Sequence, residues 1–145
     1  MADEKNLDSL SLDDLEYTML VDNPSGILVV DDEDVIRMVF DALLAETGYQ
    51  VQYADSAEKA ISQVKQDDQL NLLIVDKNLP GQSGLDLMRQ VHDVRPDTGF
   101  IMITGYASYE SAVEALRLGA YDYLEKPFSD LVLVREKIDR ALDRQ

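Results

Sequence analysis

The sequence predicts an α/β fold: a doubly wound, five-stranded parallel sheet built from five βα units in the order 2-1-3-4-5. Three observations lead there. Five short β-branched or aliphatic runs alternate with longer stretches of helical period. The first, third and fourth runs are continuously apolar rather than alternating, as strands covered by helices on both faces must be. A length of 145 residues with 46% in the broad hydrophobic class suits one compact core. Right-handed crossovers then leave few topologies, of which this order leads.

The strand runs are Ile27 to Val30, Tyr49 to Tyr53, Leu72 to Val75, Phe100 to Ile103 and Tyr121 to Leu124. After the first, Val35, Ile36, Val39, Phe40, Leu43 and Leu44 form one apolar helical face, with Gly48 as a stop signal. Ala57, Ala60, Ile61 and Val64 mark a second helix, for which Asp55 and Glu58 are spaced as a capping pair. Ser83 opens a third that buries Leu87, Met88 and Val91, and Ser108 opens a fourth with Ala112, Val113 and Leu116, ending at Gly119. A fifth runs from about Ser129 through Val134, Ile138 and Leu142.

Residues 1–26 stand apart from the domain expected at 27–145. They hold seven acidic residues and one lysine, and close on the turn-forming run Asn23-Pro24-Ser25-Gly26. Leu12, Leu15, Met19 and Leu20 follow helical spacing, and Ser11 with Asp14 could cap such a helix. A short docking helix and a solubilising tail both fit this extension.

Charge and cysteine content exclude whole classes of chemistry. Thirteen Lys plus Arg against 29 Asp plus Glu leave a formal charge of −16, a field that opposes direct binding to nucleic acid or anionic membrane. Without cysteine there are no thiol nucleophiles, disulfides or zinc–thiolate sites, and the single histidine, His92, reads as an ordinary helix-surface residue. Any metal should then be a hard, oxygen-loving cation. No basic and apolar leader opens the chain, and no apolar window approaches the roughly 18 residues of a spanning helix, so a cytoplasmic protein is expected.

The strand order places the first and third strands side by side where the winding reverses, and ligands bind outside the carboxyl ends of strands at such a point. The first strand runs into Asp31-Asp32-Glu33-Asp34, the third into Asp76-Lys77-Asn78-Leu79-Pro80-Gly81. Glu33 and Asp34 read as helix N-terminal charge. Asp31, Asp32 and Asp76, gathered in one crevice, would repel one another and raise one another's pKa unless a cation intervened, and Mg2+ fits that demand. The fourth strand ends Ile103-Thr104-Gly105 and the fifth Leu124-Glu125-Lys126-Pro127, which brings a hydroxyl and an ammonium to the same edge as donors for phosphoryl oxygens.

VVDDE at 29–33, IVDKNLPGQSGLDL at 74–87, ITGYAS at 103–108 and YLEKPF at 123–128, in this order and spacing, resemble the receiver domain of two-component response regulators, a CheY-like member of the flavodoxin-like folds. The resemblance covers about residues 27–143. It implies that Asp76 takes a phosphoryl group from the phosphohistidine of a sensor histidine kinase or phosphotransfer protein. Asp32 and Asp76 would ligate Mg2+ directly, Asp31 mainly through water, and the backbone carbonyl of Asn78 would add an oxygen. Lys126 and Thr104 would pair with phosphate oxygens. Thr104 and Tyr123 would form the switch, Tyr123 on the face made by the fourth helix, fifth strand and fifth helix. That face would serve a downstream protein target and could serve a homodimer. Asn78 and Tyr106 would tune acyl-phosphate lifetime, Lys77 would offset the acidic crevice, and Pro127 would follow a cis bond.

Three alternatives compete. A receiver-like module that works without phosphate would be favoured by loss of an acidic residue, the threonine or the lysine, and none is lost. A haloacid-dehalogenase-like phosphatase using Asp32 and Asp34 would leave Asp76 without a role and has Ile36 where that family places Thr or Val. A flavodoxin-like electron carrier would need a Ser/Thr/Gly phosphate loop where Asp-Asp-Glu-Asp stands. If the chain is whole, output must pass through contact with another protein; otherwise it is the receiver module of a longer regulator.

Overall fold

The computed structural model describes residues 25–105 and 109–143. In chain order the elements are β1 (Gly26–Val30), α1 (Asp34–Leu44), β2 (Gln50–Ala54), α2 (Ala57–Gln66), β3 (Leu70–Asp76), β4 (Asn78–Leu79), β5 (Gln82–Ser83), α3 (Gly84–Val94), β6 (Gly99–Thr104), α4 (Tyr109–Arg117), β7 (Asp122–Glu125) and α5 (Leu131–Asp143). The main sheet runs β2-β1-β3-β6-β7 and every neighbouring pair is parallel. This is the predicted doubly wound order; β6 and β7 are the fourth and fifth predicted strands, because a two-residue hairpin, β4 with β5, intervenes.

Alternation along the central strands divides the core in two. Leu28, Val30, Leu73, Val75, Phe100 and Met102 face Ala57, Ala60 and Val64 of α2, Leu87, Met88 and Val91 of α3, and Ala115 of α4. Ile27, Val29, Leu72, Ile74, Ile101 and Ile103 face Ile36, Phe40 and Leu44 of α1 with Val134, Ile138 and Ala141 of α5. Both faces of β1, β3 and β6 are thus covered, which is why those strands carry no polar alternation, while edge strands β2 and β7 stay partly exposed.

Local signals differ from expectation at four places. The cap of α2 is Ser56, whose Oγ accepts from Lys59 N at 3.3 Å, and Asp55 instead pairs with the Lys59 ammonium at 2.9 Å. Burial of Ala57, Ala60 and Val64 sets the helix phase and leaves Asp55 one residue outside it. Asp130 rather than Ser129 caps α5, its Oδ1 accepting from Leu133 N at 3.1 Å. Helix α1 stops at Leu44, ahead of Gly48, where Thr47 Oγ1 donates to the Leu44 carbonyl at 2.7 Å and Glu46 adopts φ 64°. His92 is half-buried with its ring edge-on to Phe100 at 5.0 Å.

One long-range tie closes the end of the sheet remote from the strand-end loops. Arg95, just past α3, donates from its guanidinium to the carbonyls of Val64, Asp67 (2.9 Å) and Leu70 (3.1 Å), satisfying the end of α2 and the turn into β3 together. Among the described residues no helix is long and apolar enough to cross a membrane. The expected cap at Ser108, the tuning residue Tyr106 and the helical pattern of residues 11–20 lie outside the described residues.

Candidate functional site

Parallel register brings the strand ends together. Val30 pairs with Val75 and Asp76 with Ile103, so Asp31 and Asp76 leave neighbouring strands one step apart. Thr104, the last residue of β6, pairs with Glu125, and Lys126 follows immediately, its N–H donating to the Thr104 carbonyl at 2.8 Å. Asp31, Asp76 and Thr104 are all buried, at 7%, 5% and 4% exposure, whereas Asp32 is exposed. The Lys126–Pro127 peptide is cis, as expected.

The loops are fixed by their own backbone. Asp31 Oδ1 accepts from Glu33 N at 2.8 Å, and Asp76 Oδ1 accepts from Asn78 N at 3.0 Å, so each carboxylate has one oxygen held by its following turn. Lys77 N donates to the Ile103 carbonyl at 2.8 Å, and Gly84 N donates to the Lys77 carbonyl at 2.7 Å, clamping the hairpin against the sheet. The chain reverses between β4 and β5 at Pro80-Gly81, where Gly81 takes φ 86°, a conformation that disfavours side chains.

Asp31, Asp32 and Asp76 each offer a carboxylate oxygen within 4.8 Å of the others. Into this cluster reaches Lys126, whose Nζ lies 3.0 Å from Asp31 Oδ2, 3.2 Å from Asp76 Oδ2 and 3.4 Å from Glu33 Oε1. Burial pushes the Asp31 carboxyl above its ordinary pKa; the Glu33 N–H and Lys126 offset only part of this, and the charge of Asp76 adds to it. For Lys126 burial acts downward, but Asp31 and then Asp76 outweigh it and hold the ammonium above the usual lysine value.

One polar atom stands out. Asp31 Oδ2 is fully buried and receives no directed hydrogen bond, although the Lys126 charge is at ion-pair distance. A single ammonium cannot satisfy three converging carboxylates. A hard divalent cation with oxygen preference fits this donor set: two carboxylates anchored through their Oδ1 atoms, a third exposed to water, and the Asn78 backbone following Asp76.

The remaining expected residues are distributed as follows. Tyr123, on β7, is half-buried; Lys137 Nζ lies 5.2 Å from its ring centroid and donates to its backbone carbonyl at 2.9 Å. Asp34 begins α1, exposed and outside the carboxylate cluster. Glu33 was expected to serve as helix charge alone, yet its side chain makes no cap hydrogen bond and turns to Lys126 instead. Spacing gives no hint of this, because a side chain's direction at a helix start depends on the cation delivered from a strand some ninety residues later. Beside the site an apolar groove of about 510 Å3 is lined by Val35, Ile36, Val39, Phe128 and Leu131, with Glu33 and Lys126 at its rim.

Residues 27–138 match the family model of the response regulator receiver domain. The chain is 37% identical over 113 residues to the transcriptional regulatory protein FixJ of Rhizobium meliloti, covering 78% of this chain and 54% of FixJ. A CheY-like response regulator receiver domain protein from Methanospirillum hungatei superimposes with a TM-score of 0.76 at 35% identity, over 83% of this chain and 95% of that one. The beryllofluoride-activated NtrC4 receiver domain dimer, solved in solution, gives a TM-score of 0.74 at 31% identity, over 83% and 98%. The chain therefore spans about half the length of FixJ, and about a quarter of several other curated relatives.

Proposed function

This chain belongs to the response regulator receiver domain family of two-component signalling, and on that premise we propose that Asp76 is its phosphoacceptor. The observation that carries this reading is the Lys126 ammonium 3.2 Å from Asp76 Oδ2, beside a buried and unsatisfied oxygen of Asp31. A carboxylate oxygen of Asp76 forms a bond to phosphorus while the phosphorus–nitrogen bond of a phosphohistidine breaks; the imidazole keeps the electron pair and takes up a proton. Lys126 then meets a phosphate oxygen in place of the carboxylate it held, and Thr104, at the adjacent strand end, turns its hydroxyl to another.

Asp31, Asp32, Asp76 and the backbone carbonyl of Asn78 would hold Mg2+. When bound, it supplies positive charge that neutralises the crowded oxygens of the transferring phosphoryl group. Family membership sets aside the phosphatase alternative, and Asp34 lies outside the cluster that alternative would need.

The donor in this reading is a sensor histidine kinase or phosphotransfer protein in the cytoplasm, its apolar side chains seated on the groove along Val35, Val39 and Leu131. Output runs through the α4–β7–α5 face, where a shift of Tyr123 biases binding of a downstream protein or a second copy; the NtrC4 receiver relative, solved as an activated dimer, supports the latter. The receiver occupies residues 27–145 behind an acidic extension, with Gly26 already in β1.

Intact mass after incubation with acetyl phosphate tests the assignment. One phosphoryl adduct is expected on the native chain with Mg2+, little without it, and little on Asp76→Asn. An equal adduct on Asp76→Asn, or steady phosphate release from unrelated monoesters, overturns it.

A further inference from the structure

We propose that Glu33 is a charge gate at the mouth of the site, disfavouring small anionic phosphodonors by holding Lys126 and opposing the charge of the incoming phosphoryl group. The proposal rests on the phosphoacceptor reading of Asp76. Three carboxylates share the Lys126 ammonium, but they are placed differently: the side chains of Asp31 and Asp76 are 2% and 7% exposed, and that of Glu33 is 55% exposed. Of the three, Glu33 is the carboxylate that faces solvent.

Among the described residues the Glu33 side chain has no ion-pair partner besides Lys126. It stands at the N-cap position of α1 yet makes no capping hydrogen bond, so its carboxylate has no helix duty that would explain its direction. It also lies outside the group of carboxylates that converge tightly enough to hold a cation. Binding of a metal by Asp31, and phosphorylation of Asp76, would each remove a competitor for the ammonium and leave Glu33 in place. A donor oxygen that takes the place of Asp31 or Asp76 on Lys126 therefore still shares the ammonium with the negative charge of Glu33.

The barrier is selective because of what adjoins it. Glu33 and Lys126 form the rim of the apolar groove of Val35, Val39 and Leu131. A protein donor gains contacts there that offset the repulsion, and a small phosphodonor gains none. A like charge a few ångströms from a phosphoryl dianion, discounted for its exposure to water, is worth roughly a threefold to tenfold change in rate.

The test compares second-order rate constants for adduct formation, followed by intact mass in saturating Mg2+, between the native chain, Glu33→Gln and Glu33→Lys. Acetyl phosphate serves as a dianionic donor and phosphoramidate as a less charged one. Glu33→Gln should speed the reaction with acetyl phosphate roughly threefold to tenfold and that with phosphoramidate by less, with Glu33→Lys faster still. The gap should close in about 1 M salt, where screening reaches only about 3 Å. An equal effect on both donors, an effect indifferent to salt, no change or a slower reaction overturns the gate. The native chain and Asp76→Asn report separately on the phosphoacceptor assignment, so the two failures are distinguishable.

Discussion

The α-carbon of Gly84 sits so close to the carbonyl of Asp76 that a β-carbon built on it would stand 2.3 Å from that oxygen. The same atom would lie 3.0 Å from Val75 Cγ1, so the start of α3 is seated directly on the last residues of β3. Its N–H donates to the Lys77 carbonyl at 2.7 Å. Gly84→Ala must therefore push the helix off the strand end that carries Asp76. The expected cost is about 1–3 kcal/mol, in line with forced overpacking, read as a lower urea midpoint. Adduct formation should fall by more than the loss of folded protein explains, because the carboxylate itself is displaced. Native stability in Gly84→Ala would show that the contact relaxes freely.

The three-carboxylate cluster predicts that Mg2+ stabilises the folded chain. A cation that binds only the native state adds about 2.7 kcal/mol at a concentration one hundredfold above its dissociation constant. Asp32 is the exposed member, so Asp32→Asn should leave the metal-free urea midpoint near native and abolish most of the Mg2+-dependent rise. A native-sized rise in Asp32→Asn would remove Asp32 from the ligand set.

Much of this site was legible because its residues are punctuation. Asp31, Asp76 and Thr104 each follow a continuous apolar run, Lys126 follows the mixed edge strand, and a parallel sheet delivers all such residues to one edge. Glu33 was not, since the sequence places it at a helix start, where charge alone explains it, and only the folded chain brings Lys126 to within 3.4 Å. The β4–β5 hairpin has two residues per strand, too few to show a period. Ser56 and Asp55 are both good caps, and the choice between them falls to the burial of Ala57 in the core.

Asp31 should make stability depend on pH in the acid range. Its pKa is raised on folding by burial, with the charge of Asp76 adding to it, so the folded state binds its proton more tightly than the unfolded chain, whose value is near 3.8. Between 3.8 and the raised value, stability must fall as pH rises, and at neutral pH the ionised group is a net liability. Asp31→Asn should therefore raise the urea midpoint at pH 7 without Mg2+, with the gain shrinking as pH falls towards the ordinary carboxylate value. A lower midpoint at pH 7 would mean that the Lys126 pairing outweighs burial.

Arg95 offers a control that separates fold from site. Replacing it by Ala strips charge-assisted donors from the Val64, Asp67 and Leu70 carbonyls at the far end of the sheet. A loss of about 2–3 kcal/mol is expected, with Arg95→Lys recovering only part, since an ammonium lacks the planar fork whose two terminal nitrogens reach α2 and the turn into β3 together. Under conditions where the variant remains folded, Mg2+-dependent adduct formation should match the native chain. A selective loss of phosphorylation would reveal coupling between the two ends.

Tyr123 is held on β7 by a side chain that phosphorylation does not touch. Lys137 lies over its ring at 5.2 Å, donates to its carbonyl at 2.9 Å and pairs with Asp122 at 3.2 Å. A cation–π contact of this kind, with both partners half-buried, contributes about 0.5–1 kcal/mol to whichever rotamer makes it. If Tyr123 switches between two exposures, Lys137→Met lowers the bias towards the resting one by that amount, a shift of roughly twofold to fivefold in the population ratio before any phosphoryl group is present. Fluorotyrosine labelling with NMR would read this directly: the Tyr123 resonance in unphosphorylated Lys137→Met should move part of the way towards its position in the phosphorylated native chain. A resonance that stays at the resting position in the variant and moves only on phosphorylation would mean that Lys137 does not set the balance. One that moves in neither case would remove Tyr123 from the switch.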